Sequence, residues 1–183
     1  MQAIMVYLFL ADGFEEIEAL CVLDFLRRAG VSVTTVGVSG NVAHGSHNIP
    51  VVCDITEDKL DTDSDFEMII LPGGMPGSTN LDNSLVVDKM IKKAISKDKF
   101  ICAICAAPFI LGKRGLLNGK RAICYPGFEG QLTGATIVNQ GVVRDGKIIT
   151  GRAMGSAHDF GLEIVEALCG AEMRQKLKNA VLY

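Results

Sequence analysis

Cys105 is the cysteine, of six in the chain, whose position suits it to chemistry. It stands where Phe100 to Ile104, a short apolar run rich in strand formers, gives way to Ala106 to Leu111, which is helix-compatible. Pro108 fits only the first turn of such a helix, which fixes the join close to Cys105. A turn from strand to helix presents its central side chain outward, as in a nucleophile elbow, and the free N–H groups and dipole of a helix start favour a thiolate. The chemistry expected there is attack by sulfur. Free cysteine is also a common apolar filler, and this is the reading for Cys21, Cys53, Cys102, Cys124 and Cys169, each inside an apolar run without a basic neighbour. For Cys105 the stretch alone leaves both readings open.

Other spacings invite a chemical reading. In Pro72-Gly73-Gly74-Met75-Pro76-Gly77-Ser78 two adjacent glycines follow the apolar run Met68 to Leu71. Glycines at the carboxyl end of a strand let the backbone turn sharply and aim N–H groups at an oxyanion, although a plain tight turn has the same composition. A phosphate loop would place Lys and Ser or Thr after the glycines, and neither follows. His44 and His47 are three apart, but Gly45 and Asn48 favour a loop and no third ligand is near, so solvated histidines are expected and no metal site. Cys102-x-x-Cys105 has the order of a redox pair reversed, because the second cysteine and not the first lies at the helix start.

The elements that must hold these residues alternate between strand and helix. Ala3 to Leu10 reads as a buried strand, Phe14 to Gly30 as a helix with acids in its first turn and Arg27 and Arg28 in its last, and Val31 to Val38 as a second strand. Ser39 to Pro50 is expected to form turns or a short hairpin, and Asp54 to Glu67 a short surface helix. Met68 to Leu71 is a buried strand of the parallel-sheet kind. Leu85 to Lys97 is an amphipathic helix whose Lys89, Lys92, Lys93 and Lys97 form a solvated stripe. Further strands are expected at Ala122 to Tyr125 and Ala135 to Asn139, with a hairpin at Val142 to Thr150 turning on Asp145-Gly146. Ser156 caps a helix over Ala157 to Cys169 that Gly170 stops, and Glu172 to Asn179 forms the last. This alternation predicts an α/β three-layer sandwich around a mostly parallel sheet, with ligands beyond the carboxyl ends of its strands. The rule gathers Asp12 to Glu18, Gly73-Gly74, Cys105 and Gly151 to Ser156 into one neighbourhood.

The length of 183 residues and a hydrophobic content of 49% suit a single domain over 1–183 with a sizeable core. A net charge of −3 and no tryptophan exclude a dedicated nucleic-acid surface. No apolar run reaches membrane-spanning length, the opening residues make a poor signal peptide, and unpaired cysteine spacings fit a reducing, cytoplasmic setting.

Gly13-Phe14-Glu15-Glu16-Ile17-Glu18, Leu71-Pro72-Gly73-Gly74 and Ala103-Ile104-Cys105-Ala106-Ala107-Pro108, in that order and spacing, resemble the ThiJ/PfpI superfamily and, within it, the DJ-one branch. The resemblance covers the whole chain, down to Gly161 to Leu168. It implies a flavodoxin-like sandwich, usually a homodimer with Arg28 and Cys53 near its two-fold axis. It also implies Cys105 as reactive cysteine, Glu18 as a protonated carboxylic partner, and the N–H groups of Gly74 and Ala106, beside Gly73, as an anion site. By composition alone Glu18 is an ordinary first-turn charge. A glutamate enclosed beside a thiolate keeps its proton, and on this reading the Cys105 pKa falls well below the ordinary thiol value of roughly 8.5 and the sulfur is selectively oxidised.

Two departures bear on the reaction. Ala106 follows Cys105 where protease-type relatives carry histidine, and Tyr125 occupies the family's other histidine position; His158 is the remaining candidate base. Protease or amidohydrolase chemistry needs such a base, and a thiazole-phosphate role needs a phosphate loop. The resemblance therefore implies a cofactor-independent glutathione-independent glyoxalase or deglycase acting on small carbonyls such as methylglyoxal or on glycated adducts. The alternative is a redox-sensing or chaperone-like stress protein that acts through oxidation of Cys105.

Overall fold

The computed structural model describes residues 5–183. Its strands are β1 (Met5–Leu10), β2 (Ser32–Gly37), β3 (Val42–His44), β4 (Pro50–Val52), β5 (Ile55–Thr56), β6 (Met68–Leu71), β7 (Phe100–Ile104), β8 (Arg121–Ala122), β9 (Thr136–Ile137), β10 (Val142–Asp145) and β11 (Ile148–Gly151). Its α-helices are α1 (Glu16–Arg28), α2 (Gly77–Asn83), α3 (Leu85–Ser96), α4 (Pro108–Lys113), α5 (Ala157–Cys169) and α6 (Ala171–Ala180). The main sheet runs β10-β11-β7-β6-β1-β2-β5 and is parallel throughout except for the β10–β11 hairpin. Parallel neighbours need crossovers, and the helices that supply them cover both faces.

Strand alternation sorts the core into two layers. Ile101 and Ala103 of β7, with Tyr7 and Phe9 of β1, pack toward Met90 and Ile91 of α3 and Phe109 of α4. Phe100, Cys102 and Ile104, with Val6, Leu8 and Leu10, pack toward Val22 and Leu26 of α1 and Phe160 and Ile164 of α5. All five residues of β7 are buried, so the strand that leads to Cys105 is enclosed on both faces.

Several expectations change in detail. Ala3 and Ile4 lie outside the described residues. The first helix starts at Glu16 and not Phe14, because Phe14 is buried in a bridge to Gly45 while Glu15 caps the helix by accepting the Glu18 N–H at 2.7 Å. Asp54 to Glu67 forms only β5 and one tight 3₁₀ turn at Glu57–Lys59. In place of a surface helix, Asp61 takes the Asp63 N–H and the Ser64 hydroxyl, and Lys93 donates to the carbonyls of Thr62 and Ser64. Part of the lysine stripe on α3 therefore clamps this acidic loop. Helix α2 was not anticipated, since Pro76-Gly77-Ser78 has turn composition. The strands expected at 122–125 and 135–139 shrink to β8 and β9, a separate parallel pair. Ser156 precedes α5 without a side-chain cap, whereas Gly170 ends it at φ +86° as expected.

Candidate active site

Cys105 follows the last residue of β7 and adopts φ +65°, the left-handed region that a side chain with a Cβ normally avoids. Such a residue is strained by about 1–3 kcal/mol and persists only where its surroundings over-determine it. Here its N–H donates to the Gly151 carbonyl at 2.9 Å and its carbonyl accepts the Tyr125 N–H at 2.7 Å. The Ala107 N–H donates to Ile104 at 3.1 Å, which closes the turn. Helix α4 begins only at Pro108, so Cys105 lies on a tight elbow ahead of the helix and not in its first turn. The cysteine is half-buried, while Ala106 and Ala107 behind it are buried.

Glu18 comes from the first turn of α1 yet is only 1% exposed, unlike an ordinary first-turn charge. The loop after β6 is tied to it in both directions: the Gly73 N–H donates to Glu18 Oε2 at 2.9 Å, and the Gly73 carbonyl accepts the Glu15 N–H at 2.9 Å. Among the described residues Oε1 is buried without a hydrogen-bond partner, and the carboxyl lies close enough to the Cys105 thiol for each to influence the other's titration. Close approach requires glycine at both positions of the loop. A Cβ on Gly73 would lie 2.4 Å from Glu18 Oε2 and 2.5 Å from the Cys105 Cβ, and one on Gly74, at φ +87°, would lie 2.4 Å from both the Gly13 carbonyl oxygen and the Glu15 nitrogen. The backbone amides of Gly74 and Ala106 face the sulfur and favour its charged form.

Burial, reinforced by the nearby Glu15 charge, raises the Glu18 carboxyl to about 7 against the lowering effect of its hydrogen bonds to Cys105 and Gly73. Burial, then the Glu18 charge, pushes the Cys105 thiol up to about 12, opposed by the Gly74 and Ala106 N–H groups. The thiol is therefore not lowered outright, which corrects the sequence expectation. Because the Glu18 charge raises the thiol, the two titrate as a pair, and above about 7 this pair retains one proton. When that proton sits on Glu18, the charge that opposes a thiolate is gone while the two amides still face the sulfur.

Tyr125 reaches this site only through its backbone, with its side chain about half exposed. His158 does not join it: the ring stacks on Tyr183 at 5.5 Å and meets Phe25 edge-on at 5.7 Å. Arg28, at the far end of α1, pairs with Asp24 at 2.6 Å and is likewise not part of the thiol site. The sequence rule grouped Gly151 and Glu15 with this neighbourhood without giving either a role: Gly151 fixes the elbow through its carbonyl, and Glu15 caps α1 at the glutamate's own turn. It likewise gave Glu16 no role. That carboxylate is buried and accepts the His47 N–H at 2.7 Å and the His47 Nδ1 at 2.8 Å, so His47 is exposed but not merely solvated. Glu15, Glu16 and His47 form a group of metal-ligating type, but Glu16 already has its donors.

A family model described as the DJ-1/PfpI family matches residues 4–167. Protein DJ-1 homolog B of Arabidopsis thaliana is 42% identical over 88% of this chain, and the chain spans only 37% of that relative's length. The glutathione-independent glyoxalase DJR-1.2 of Caenorhabditis elegans is 31% identical, over 91% of this chain and 89% of the relative. The crystal structure of Drosophila melanogaster DJ-1beta superimposes with a TM-score of 0.93 at 34% identity, covering 99% of this chain and 98% of that one.

Proposed function

The chain belongs to the DJ-1/PfpI family, and on that premise we propose that it is a cofactor-independent glyoxalase acting on small α-oxoaldehydes such as methylglyoxal. The observation that carries the reading is the buried Glu18 carboxyl, one oxygen of which has no hydrogen-bond partner among the described residues, beside a cysteine on a left-handed elbow. A carboxyl that sits beside a nucleophile and titrates near neutrality is suited to give and take one proton per turnover.

In the proposed path the pair starts with its proton on Glu18. The Cys105 sulfur adds to the aldehyde carbon, forming the C–S bond, and the oxyanion takes the Glu18 proton to give a hemithioacetal. Glu18, now a carboxylate, removes the hydrogen from that same carbon, and the resulting enediol is reprotonated at the neighbouring carbon. The product is a lactoyl thioester. Water attacks its carbonyl, the C–S bond breaks, lactate leaves and the thiolate returns. The amides of Gly74 and Ala106 lie at the sulfur and are placed to stabilise negative charge there. Carbonyl adducts on thiols or amines present the same electrophilic carbon, which extends the reading to deglycation, and the thiolate form of the pair is also the oxidisable one.

The test uses purified protein and methylglyoxal, with lactate as the readout. Cys105→Ser is expected to lose activity by a factor on the order of 10³ or more. Glu18→Gln keeps an acceptor for Gly73 and a donor for the thiolate but cannot move a proton, so iodoacetamide should still modify Cys105 while lactate formation is lost. Lactate formation by Cys105→Ser at the native rate would sink the reading.

The homodimer implied by the resemblance belongs to the same proposal. Ile17 on α1 and Ile49 and Val52 around β4 are large apolar residues 47%, 51% and 70% exposed. The Glu16 contacts to Ser46 and His47 hold the β3–β4 ribbon against α1, so these residues lie on joined elements.

A further inference from the structure

At the amino ends of β7 and β11, away from the thiol, lies a cavity of about 580 Å³. It starts at Phe100, five residues before Cys105, which on an extended strand is roughly 16 Å from the elbow. Phe100, Leu116 and Ile148 line it with apolar surface, and Lys120, Arg144 and Lys147 bring positive charge to it. In a chain of net charge −3 that concentration of cations is local.

The ionic contacts of these groups differ. Lys99, also in the lining, is spent on Glu67 at 2.8 Å and Asp65 at 3.4 Å. Lys120 and Arg144 reach Asp145 and Glu163 only at 3.8 and 3.7 Å. The Lys147 ammonium forms no ion pair among the described residues and rests 4.1 Å from the centroid of the Phe100 ring, on its face. An aromatic face is a weaker partner for an ammonium than a carboxylate is. Asp98 is the one acid in the lining and opposes three incompletely neutralised cations.

We infer that this cavity binds an amphipathic carboxylate, a short acyl or aryl body headed by one carboxylate. The head pairs with Lys147, with Lys120 nearby, and the body covers Leu116 and Ile148. The volume suits a ligand of that size. The apolar lining would be wasted on a polyphosphate. A nucleotide base is disfavoured as well, because Lys147 already occupies the Phe100 face on which it would stack.

The test is a ¹⁵N–¹H spectrum of the full chain titrated with sodium decanoate below its micellar range. The expected result is saturable shifts at the amides of Ile101, Lys147 and Ile148, none of the kind with decyltrimethylammonium, and affinity weakened about tenfold by Lys147→Glu, the loss of one charge-assisted contact. Lys147→Gln, which removes the charge without reversing it, should show a smaller loss and serves if the glutamate variant does not fold. Absence of saturable shifts at those amides, equal binding of the cationic amphiphile, or native affinity in the lysine variants would overturn the assignment. None of these readouts depends on Cys105 or on carbonyl turnover.

Discussion

At the scale of single residues, Gly73 is where the site has least room. Its missing Cβ is what lets the Glu18 carboxyl and the Cys105 Cβ approach the same backbone atom. Gly73→Ala should therefore displace one of the pair by a few tenths of an ångström or more, and misplacement of reacting groups on the 1 Å scale costs about 10² in rate. The expected outcome is a loss of lactate formation of that order in a protein that still folds, read from steady-state kinetics beside a thermal melt. Native turnover in that variant would mean that the contact between acid and thiol does not limit the chemistry.

At the scale of elements, the link between α1 and the β3–β4 ribbon has a defined pH range. The hydrogen bond that Glu16 accepts, then the Glu16 charge, raises the His47 pKa above the ordinary 6.5. Glu16 is held below 4.5 because its hydrogen bonds with His47 outweigh its burial. A raised histidine contributes in full below its unfolded value and loses that contribution as pH rises through its folded value. A lowered carboxylate contributes above its unfolded value and loses it as pH falls through its folded one. The ionic contact is thus complete between pH 4.5 and 6.5. Titration of the His47 ring by NMR should give a midpoint above 6.5 in the native chain, returning to about 6.5 in Glu16→Gln. Equal midpoints would show that the pair does not form in solution.

The same element shows what a sequence can reveal and what it cannot. The strand before Cys105 and the loop at Gly73-Gly74 were legible because buried parallel strands leave apolar runs and glycines leave turns, both local signals. Glu18 was not legible from its surroundings: an acid in a first helical turn looks solvated, and only its position in the family motif marked it. The Glu16–His47 contact spans 31 residues and joins a loop to a helix, so no spacing announces it. Helix α2 was hidden because it opens on glycine after proline, although its Gly77, Ser78 and Leu81 are buried.

At the scale of the whole molecule, the sheet separates two regions. The carboxyl ends of β6 and β7 hold the thiol and its acid, while the amino ends of β7 and β11 open on the cationic cavity. The exposed apolar residues around α1 and β4 belong to neither. If they meet a second copy, sedimentation should give twice the 19.6 kDa mass of the chain. Val52→Glu, a charge placed on a residue 70% exposed, should then yield folded monomer. A native chain that sediments as monomer at micromolar concentration would remove the dimer from the account.

The claim that supports the rest is that Cys105 and Glu18 hold one proton between them near neutral pH. The pH dependence of Cys105 alkylation by iodoacetamide, in native protein and in Glu18→Leu, tests it most directly. Native protein should show a rate that rises with a midpoint at about 7, set by the pair. Glu18→Leu, which removes the proton holder and keeps the burial, should shift the midpoint to the ordinary thiol range of about 8.5 or above. Superimposable profiles for the two proteins would contradict the account.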